Sequence, residues 1–303
     1  MANTGYIIRT YKDFNPYSPT FNTTKTERIM DLSKCPMEQV YNTEIVYDID
    51  VRTSGAMSAY QYYFVAGMLK DEDYGPVFQN VSIDVDWGDG NQENFDVQVN
   101  SPSAPKNITP RHNYDREKYE YTVGIYTNDR IYNIYQNTDD KRIVKIKRII
   151  SDTLQDISNM SLHSDEIFKG FDETFVFNCP NIESMNGAFK TNINNSESQY
   201  EPIPLPSFDF NTFKNNNIDF SEIFANEING GVVYTGNINE ILGNIDFSKL
   251  GNVSSMFANQ PGLTGEALPI IAQLSHLTSD KYADCFKGCT GLSDYSQIPS
   301  DWK

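Results

Sequence analysis

The sequence predicts a mainly β protein in three parts: an extended N-terminal arm over residues 1–43, a β-sandwich over residues 44–150, and a short solenoid of repeats over residues 151–303. Three observations support this division. The first part is polar and has little hydrophobic periodicity, and the second alternates apolar and polar residues with a period of two. The third part repeats a unit centred on phenylalanine, and such repetition is typical of a stacked architecture.

The charge of the 303-residue chain argues against two kinds of partner. The chain has 24 Lys and Arg against 41 Asp and Glu, so its formal net charge is −17. Nucleic-acid phosphates and anionic lipid both select a surplus of basic residues, so we expect neither nucleic acid nor a membrane as partner. Residues 151–303 hold 7 basic and 20 acidic side chains, whereas residues 1–150 hold 17 and 21. We therefore expect the acidic surface to belong mainly to the repeat part.

The distribution of apolar residues and cysteines predicts a protein that is made and folded in a cytoplasm. No apolar stretch approaches the roughly 20 residues of a spanning helix, and the first residues lack the basic and then apolar pattern of a signal peptide. Four cysteines are too few for a disulfide scaffold in a chain of this length. The pair Cys285-x-x-x-Cys289 has no second pair, and the three histidines are scattered, so we expect no metal.

The N-terminal part carries aromatic residues among turn-forming residues. Phe14, Tyr17 and Phe21 are spaced through a segment rich in Asn, Pro, Ser and Thr. Such a segment cannot build its own core, so it is either a floppy tail or an arm that folds onto a partner. The regular spacing favours an attachment arm with these three aromatics as anchors.

The second part contains several short segments with strand-like alternation. Residues 44–52 place Ile45, Tyr47 and Ile49 at alternate positions, and similar segments recur at 61–68, 81–87, 119–126 and 130–135. Short strands separated by Gly, Pro, Asn and Asp clusters predict an antiparallel β-sandwich.

Residues 141–150 form the only basic cluster of the chain. They could make an anion-binding or nucleic-acid patch, or they could be a strand with Val144 and Ile146 inward and Lys145 and Lys147 outward. The strict alternation favours the strand, whose lysines would face acidic surface of this chain or of a neighbouring one.

The most specific motif of the second part is a turn at the end of a strand, made of Asp86, Trp87, Gly88, Asp89 and Gly90. The two glycines permit positive φ, and the aspartates can accept hydrogen bonds from turn amides. About twenty residues later come His112-Asn113-Tyr114 and then the strand at 119–126. This order resembles the PKD-type immunoglobulin-like domain, and the resemblance implies that the turn, His112 and Tyr114 have structural roles.

Calcium is the alternative interpretation of this turn. Asp84, Asp86, Asp89 and Glu93 are clustered in sequence and carry oxygen ligands. The spacing does not fit an EF-hand loop, because the fifth position would be Gly88. The sequence therefore leaves calcium open near Asp84, Asp86 and Asp89.

The third part repeats an apolar-Phe unit five times, with the key phenylalanines spaced by 21, 35, 33 and 29 residues: Phe168, Phe189, Phe224, Phe257 and Phe286. Units of this size cannot bury their apolar face alone, but stacked units share a continuous core. The last two copies, which carry Leu263 and Leu292, resemble the BspA-like leucine-rich repeats. That resemblance implies that Cys285 and Cys289 are small buried core residues.

The sequence favours a displayed structural protein without enzymatic activity or cofactor. It contains no Gly-x-Ser-x-Gly elbow, phosphate-binding glycine loop or His-Glu-x-x-His motif. The combination of the two resembled modules is similar to structural and adhesion proteins of tailed phages and of gut bacteria. We expect a homo-oligomeric phage virion protein, such as a head fibre, a decoration protein or a tail-associated adhesin. Residues 1–43 would bind other virion proteins, and the repeats would face a host-surface glycan or protein. The alternatives are a bacterial cell-surface adhesin and a carbohydrate-binding module.

Overall fold

The computed structural model describes residues 6–12, 24–30, 41–50, 64–66, 80–98, 112, 114, 119–129, 131, 134–136, 143–158, 169–191, 202–206, 212–227, 234–242 and 245–303. The chain divides into two compact units, Met1–Val40 and Tyr41–Lys303. The anchors Phe14, Tyr17 and Phe21 and the first repeat phenylalanine, Phe168, lie outside the described residues.

The described elements are mainly strands, which confirms the prediction of a mainly β protein. In chain order they are β1 (Tyr6–Lys12), β2 (Thr24–Met30), β3 (Thr43–Asp50), β4 (Phe64–Ala66), β5 (Asn80–Asp86), β6 (Gln92–Gln98), β7 (Glu120–Thr127), β8 (Ile134–Gln136), β9 (Ile143–Ser151), β10 (Phe171–Asn178), β11 (Ile203–Pro204), β12 (Ile218–Asp219), β13 (Tyr234–Asn237), β14 (Leu250–Asn252) and β15 (Leu263–Thr264). Three short α-helices accompany them: α1 (Ile238–Ile241), α2 (Leu268–Gln273) and α3 (Ser279–Tyr282). Single 3₁₀ turns lie at Phe247–Lys249, Tyr295–Gln297 and Ser300–Trp302. Within the described ranges, no helix is long and apolar enough to cross a membrane.

The first unit contains a pair of strands where the sequence predicted only an extended arm. β1 pairs with β2 in antiparallel register, from Tyr6 opposite Met30 to Lys12 opposite Thr24. β1 is rich in Tyr and Ile and β2 contains two Thr and one Ile, residue types that favour extended backbone. The paired strands give the N-terminal unit regular backbone hydrogen bonding of its own.

The second unit begins with a six-stranded sheet of order β10-β9-β3-β7-β5-β6. β3 pairs antiparallel with β7 and with β9, and β5 pairs antiparallel with β6 and β7. β10 pairs with β9 in parallel, so the sheet is mixed, whereas the described pairs among β3 to β9 are all antiparallel, the direction predicted for residues 44–150. A parallel pair needs a crossover connection of a dozen or more residues, and the 19 residues between β9 and β10 are long enough for one.

Alternation of side chains places one face of the sheet in the core. On β3, Ile45, Tyr47 and Ile49 are almost fully buried, while the residues between them are mostly more exposed. The basic strand β9 follows the same rule, because Val144 and Ile146 are buried and Lys145 and Lys147 are not. Its interpretation as a strand is thus confirmed.

Beyond β10 the chain forms a stack of parallel segments. We call residues 182–191, 218–227, 250–263 and 281–292 the rungs. Each rung donates amide hydrogen bonds to the carbonyls of the next: Phe189 to Ile223 (3.0 Å), Phe224 to Met256 (3.0 Å) and Phe257 to Cys285 (2.9 Å). β12 and β14 pair in parallel as part of this ladder, and β11, β13 and β15 form a second parallel ladder.

The same corner recurs in every rung, at a residue with left-handed backbone. The φ angle is +62° at Gly187, +56° at Glu222, +54° at Ser255 and +59° at Asp284. The ladder hydrogen bonds place these four residues at equivalent positions. A non-glycine residue in this conformation costs about 1–2 kcal/mol, so the stacking must outweigh that strain in three of the four rungs.

One apolar core runs through the whole second unit. Ile146 and Ile149 of β9 belong to the same cluster of buried residues as Phe177 of β10 and Met185 of the first rung. Residue 150, where the sequence predicted a domain boundary, lies inside β9, and residues 41–303 cluster as a single unit.

Candidate functional site

The first candidate site is the turn that joins β5 to β6. Asp86 accepts a hydrogen bond from the Gly88 amide (2.9 Å), and Asp89 accepts one from the Asn91 amide (3.0 Å). Gly88 and Gly90 both have positive φ, at +76° and +95°. A Cβ on Gly88 would lie 2.2 Å from the carbonyl oxygen of Thr122, so this position requires glycine for space as well as for conformation.

Trp87 of this turn is buried in the sheet core and contacts three other aromatic rings. It is 1% exposed and stacks on the imidazole of His112, with ring centroids 4.9 Å apart and planes within 12°. Phe95 and Tyr114 meet the indole edge-on, each at 6.4 Å between centroids. The structure therefore brings the turn, His112 and Tyr114 into contact.

His112 lies between two carboxylates. Its Nε2 is 2.7 Å from Oδ2 of Asp89, and its Nδ1 is 3.4 Å from Oε1 of Glu93. Burial by itself would raise the pKa of Asp89, but the hydrogen bonds from His112 and Asn91 outweigh it and hold that pKa below its usual value. The charged carboxylate thus ties His112 to the turn.

This lowered pKa predicts a loss of stability in acid. Because the pKa of Asp89 is lower in the folded than in the unfolded chain, its contribution is complete above the unfolded value and disappears as the pH falls through the folded value. We expect Asp89→Asn to lower the free energy of unfolding at pH 7 and to flatten its decline as the pH falls below about 5. Urea titrations at each pH measure both effects.

Asp152→Asn is the control for this prediction, because Asp152 is an exposed aspartate at the end of β9. That variant should keep the free energy of unfolding at pH 7 within about 0.5 kcal/mol of wild type. An Asp89→Asn profile as steep as wild type would contradict the assignment.

The carboxylates that could bind calcium at this turn already accept hydrogen bonds from protein side chains. Asn94 donates to Oδ1 of Asp84 (2.8 Å), and Gln92 donates to Oδ2 of Asp86 (3.0 Å). Oδ2 of Asp89 accepts from both His112 and Asn91. Among the residues that the structure describes, no group of three or more His, Cys, Asp or Glu side chains is arranged to hold a metal ion. These contacts favour a hydrogen-bonded turn over an ion site.

The basic strand β9 meets acidic residues of its own sheet. Lys147 lies 2.8 Å from Asp48, and Arg148 lies 2.7 Å from Glu44. Both partners are on β3, the neighbouring strand. This is the arrangement expected of a strand whose basic side chains face acidic surface of the same chain.

The second candidate site is the core of the stack, where the repeat phenylalanines form a column. Phe189, Phe224, Phe257 and Phe286 are each at most 1% exposed, and their ring centroids are 6.0, 5.9 and 5.8 Å apart in succession. Trp302 continues the column at 6.3 Å from Phe286. The predicted spacings of 35, 33 and 29 residues thus bring equivalent residues into contact.

The other predicted core residues are buried around this column. Leu263 and Leu292 are 0% and 4% exposed, and Cys285 and Cys289 are at most 1% exposed. Burial raises the pKa of both thiols, in Cys289 to about 12, so they remain protonated at neutral pH.

Sequence reasoning missed a set of buried donors that satisfy the column's carbonyls. Tyr234 donates to the Phe189 carbonyl (2.8 Å), Gln260 to that of Phe224 (2.8 Å) and Cys289 to that of Phe257 (3.0 Å). Gln260 and Cys289 each lie three residues after a column phenylalanine, which is a spacing that sequence alignment of the copies could have found. Cys289 is therefore a hydrogen-bond donor as well as a small apolar filler.

Comparisons with known proteins identified no relative: no protein-family model matches the chain, and neither the curated proteins nor the solved structures contain a match.

Proposed function

We propose that this protein is a non-enzymatic structural component of a phage virion, in which residues 1–43 attach to other virion proteins and the remainder is displayed. The observation that carries the proposal is the division into a separate N-terminal unit, Met1–Val40, and a long unit with one continuous core. A small unit for attachment and a rigid unit for display suit a head fibre, a decoration protein or a tail-associated adhesin.

In this proposal, the displayed part combines a PKD-type immunoglobulin-like sandwich with a BspA-like leucine-rich-repeat solenoid. The Trp87–His112 stack supports the first module, and the phenylalanine column with its parallel rungs supports the second. Sheet and stack share one core through β9 and β10, so the two modules would act as a single stiff body.

The chemistry of the described side chains supports a binding or spacing role. The buried thiols are held protonated, and the acidic residues of the turn are engaged in hydrogen bonds with neighbouring residues. On the stack, Lys190 bridges Glu222 (2.6 Å) and Glu227 (3.1 Å) on a partly exposed surface. A mostly acidic, solvated surface would keep displayed copies soluble.

The test is incorporation into particles. The full chain should co-purify with virions through a density gradient and be detected there by mass spectrometry. A chain without residues 1–40, the first unit, should fold, as judged by circular dichroism and thermal unfolding, and should be absent from the particles. Failure of the full chain to accompany particles would overturn the proposal, and its presence on cells that make no particles would favour the bacterial adhesin.

A finer variant separates attachment from folding. Replacing Phe14, Tyr17 and Phe21 together by Ala removes the predicted anchors and leaves the rest of the first unit in place. Incorporation should fall by at least about tenfold, since aromatic anchors contribute most of the binding energy at interfaces. Replacing Thr20, Asn22 and Thr23 by Ala in the same segment is the control and should leave incorporation near wild type.

A further inference from the structure

β6 is one of the two edge strands of the six-stranded sheet, the other being β10. β6 follows β5 in the strand order, and no other described strand pairs with its second side. Gln92, Glu93, Asn94 and Asp96 are exposed. An open edge offers a row of backbone donors and acceptors to another strand.

The backbone alternation of β5 and β6 identifies which groups are free. The Trp87 amide donates to the Asn91 carbonyl (3.1 Å), so these two residues form a hydrogen-bonded pair. In an antiparallel ladder such pairs recur at every second residue, which makes Val85–Glu93 and Ile83–Phe95 the next two. The backbone groups of Asn94 and Asp96 consequently point away from β5, toward the open side.

Within the described residues of β6, protection against pairing is limited to the two charged side chains of Glu93 and Asp96. Natural edges are blocked by proline, lysine or a bulge, but β6 reads Gln-Glu-Asn-Phe-Asp-Val-Gln, and its register with β5 is uninterrupted from Asn80–Gln98 to Asp86–Gln92. The outward side chains also lie back over the sheet. Asn94 donates to Ser82 and Asp84 on β5, which leaves the strand edge clear.

We propose that β6 pairs with β6 of a second copy of this chain, antiparallel and about a two-fold axis at Phe95. In this register Asn94 lies opposite Asp96 of the second copy, and the two Phe95 residues lie opposite one another. Residues Gln92 to Gln98 all find a partner, and no two like charges are directly opposed. Centring on Asp96 instead would oppose two carboxylates, and centring on Asn94 would pair fewer residues of the strand.

A proline at Asn94 tests this edge without breaking the fold. Its amide faces away from β5, so Asn94→Pro removes only a donor of the proposed contact. Sedimentation equilibrium of the full wild-type chain should give twice the chain mass, and Asn94→Pro should give the chain mass with an unchanged circular dichroism spectrum. Asn94→Ala keeps the amide and is the matched control, so it should remain dimeric.

Cross-linking tests the register separately. Phe95 lies on the proposed two-fold axis, so the two Phe95 residues face each other as a pair without mutual hydrogen bonds, and their Cα atoms come within disulfide range. Gln92 lies opposite Gln98, so the two Gln92 residues of the dimer are far apart. Phe95→Cys should form a disulfide dimer at least about tenfold faster than Gln92→Cys under mild oxidation. A monomeric or trimeric wild-type chain, a dimer that survives Asn94→Pro, or equal cross-linking at both positions would overturn the proposal.

Discussion

Phe257→Ala should destabilise the second unit by about 3–5 kcal/mol, the usual cost of emptying a buried phenylalanine site. Phe257 is fully buried and stacks on Phe224 at 5.9 Å and on Phe286 at 5.8 Å, so its removal breaks the column in the middle. Rungs on both sides would lose their contact, and neighbouring rungs stabilise each other in stacked folds. Urea denaturation followed by circular dichroism measures the loss.

Val176→Ala is the matched control for the column. Val176 is 41% exposed on β10, and its truncation should change the free energy of unfolding by less than about 0.5 kcal/mol. If Phe257→Ala behaved like this control, the column would not be the core of the stack. If the Phe257→Ala variant instead unfolded in two separate transitions, the sheet and the stack would be independent domains. That result would contradict the single core that they share in the structure.

Trp87→Ala should cost a similar amount, about 3–5 kcal/mol, at the opposite end of the unit. The indole is 1% exposed and supports His112, Phe95 and Tyr114, none of which can collapse into its space without losing its other contacts. Because Asp89 and Glu93 hold the other side of His112, loss of the indole should also loosen the turn. Chemical denaturation and the near-ultraviolet circular dichroism signal report the two effects.

A double-mutant cycle isolates the stack itself. Trp87→Phe keeps an aromatic side chain at the site and should lose less than Trp87→Ala. The cycle of Trp87→Ala with His112→Ala should give a coupling energy of about 0.5–1.5 kcal/mol, as found for neighbouring aromatic rings. A coupling energy of zero would mean that Trp87 and His112 are buried side by side without stabilising one another.

Local pattern was enough to place the strands of the sheet. Alternation predicted β3, β5, β7 and β9 within one or two residues, because a half-buried strand must alternate. β6 was not predicted: its sequence is mostly polar, and it forms a strand because the Asp86–Asn91 turn folds it back on β5. The parallel pairing of β10 was missed as well, since it depends on a connection of some twenty residues that local pattern does not describe.

The candidate sites show the same division. The phenylalanine spacing was readable along the chain, and so was the order of the turn, His112 and Tyr114. The sequence predicted that the basic side chains of β9 face acidic residues, but it did not identify the partners of Lys147 and Arg148, because these lie about a hundred residues away on β3. The donor Tyr234 was not recognised, because its buried hydrogen bond to a backbone carbonyl has no sequence pattern of its own. Gln260 was also missed, although its position three residues after Phe257 matches that of Cys289 after Phe286.

The sequence by itself determined the mainly β class, the faces of the strands and the spacing of the stacked phenylalanines, because each follows from hydrophobic periodicity within the chain. Only the tertiary structure decided that the sheet and the stack share one core, that the left-handed corners align from Gly187 to Asp284, and that β6 is left as an edge. These features arise where segments distant in sequence meet, and they are stabilised by hydrogen bonds and burial that exist only once the chain is folded.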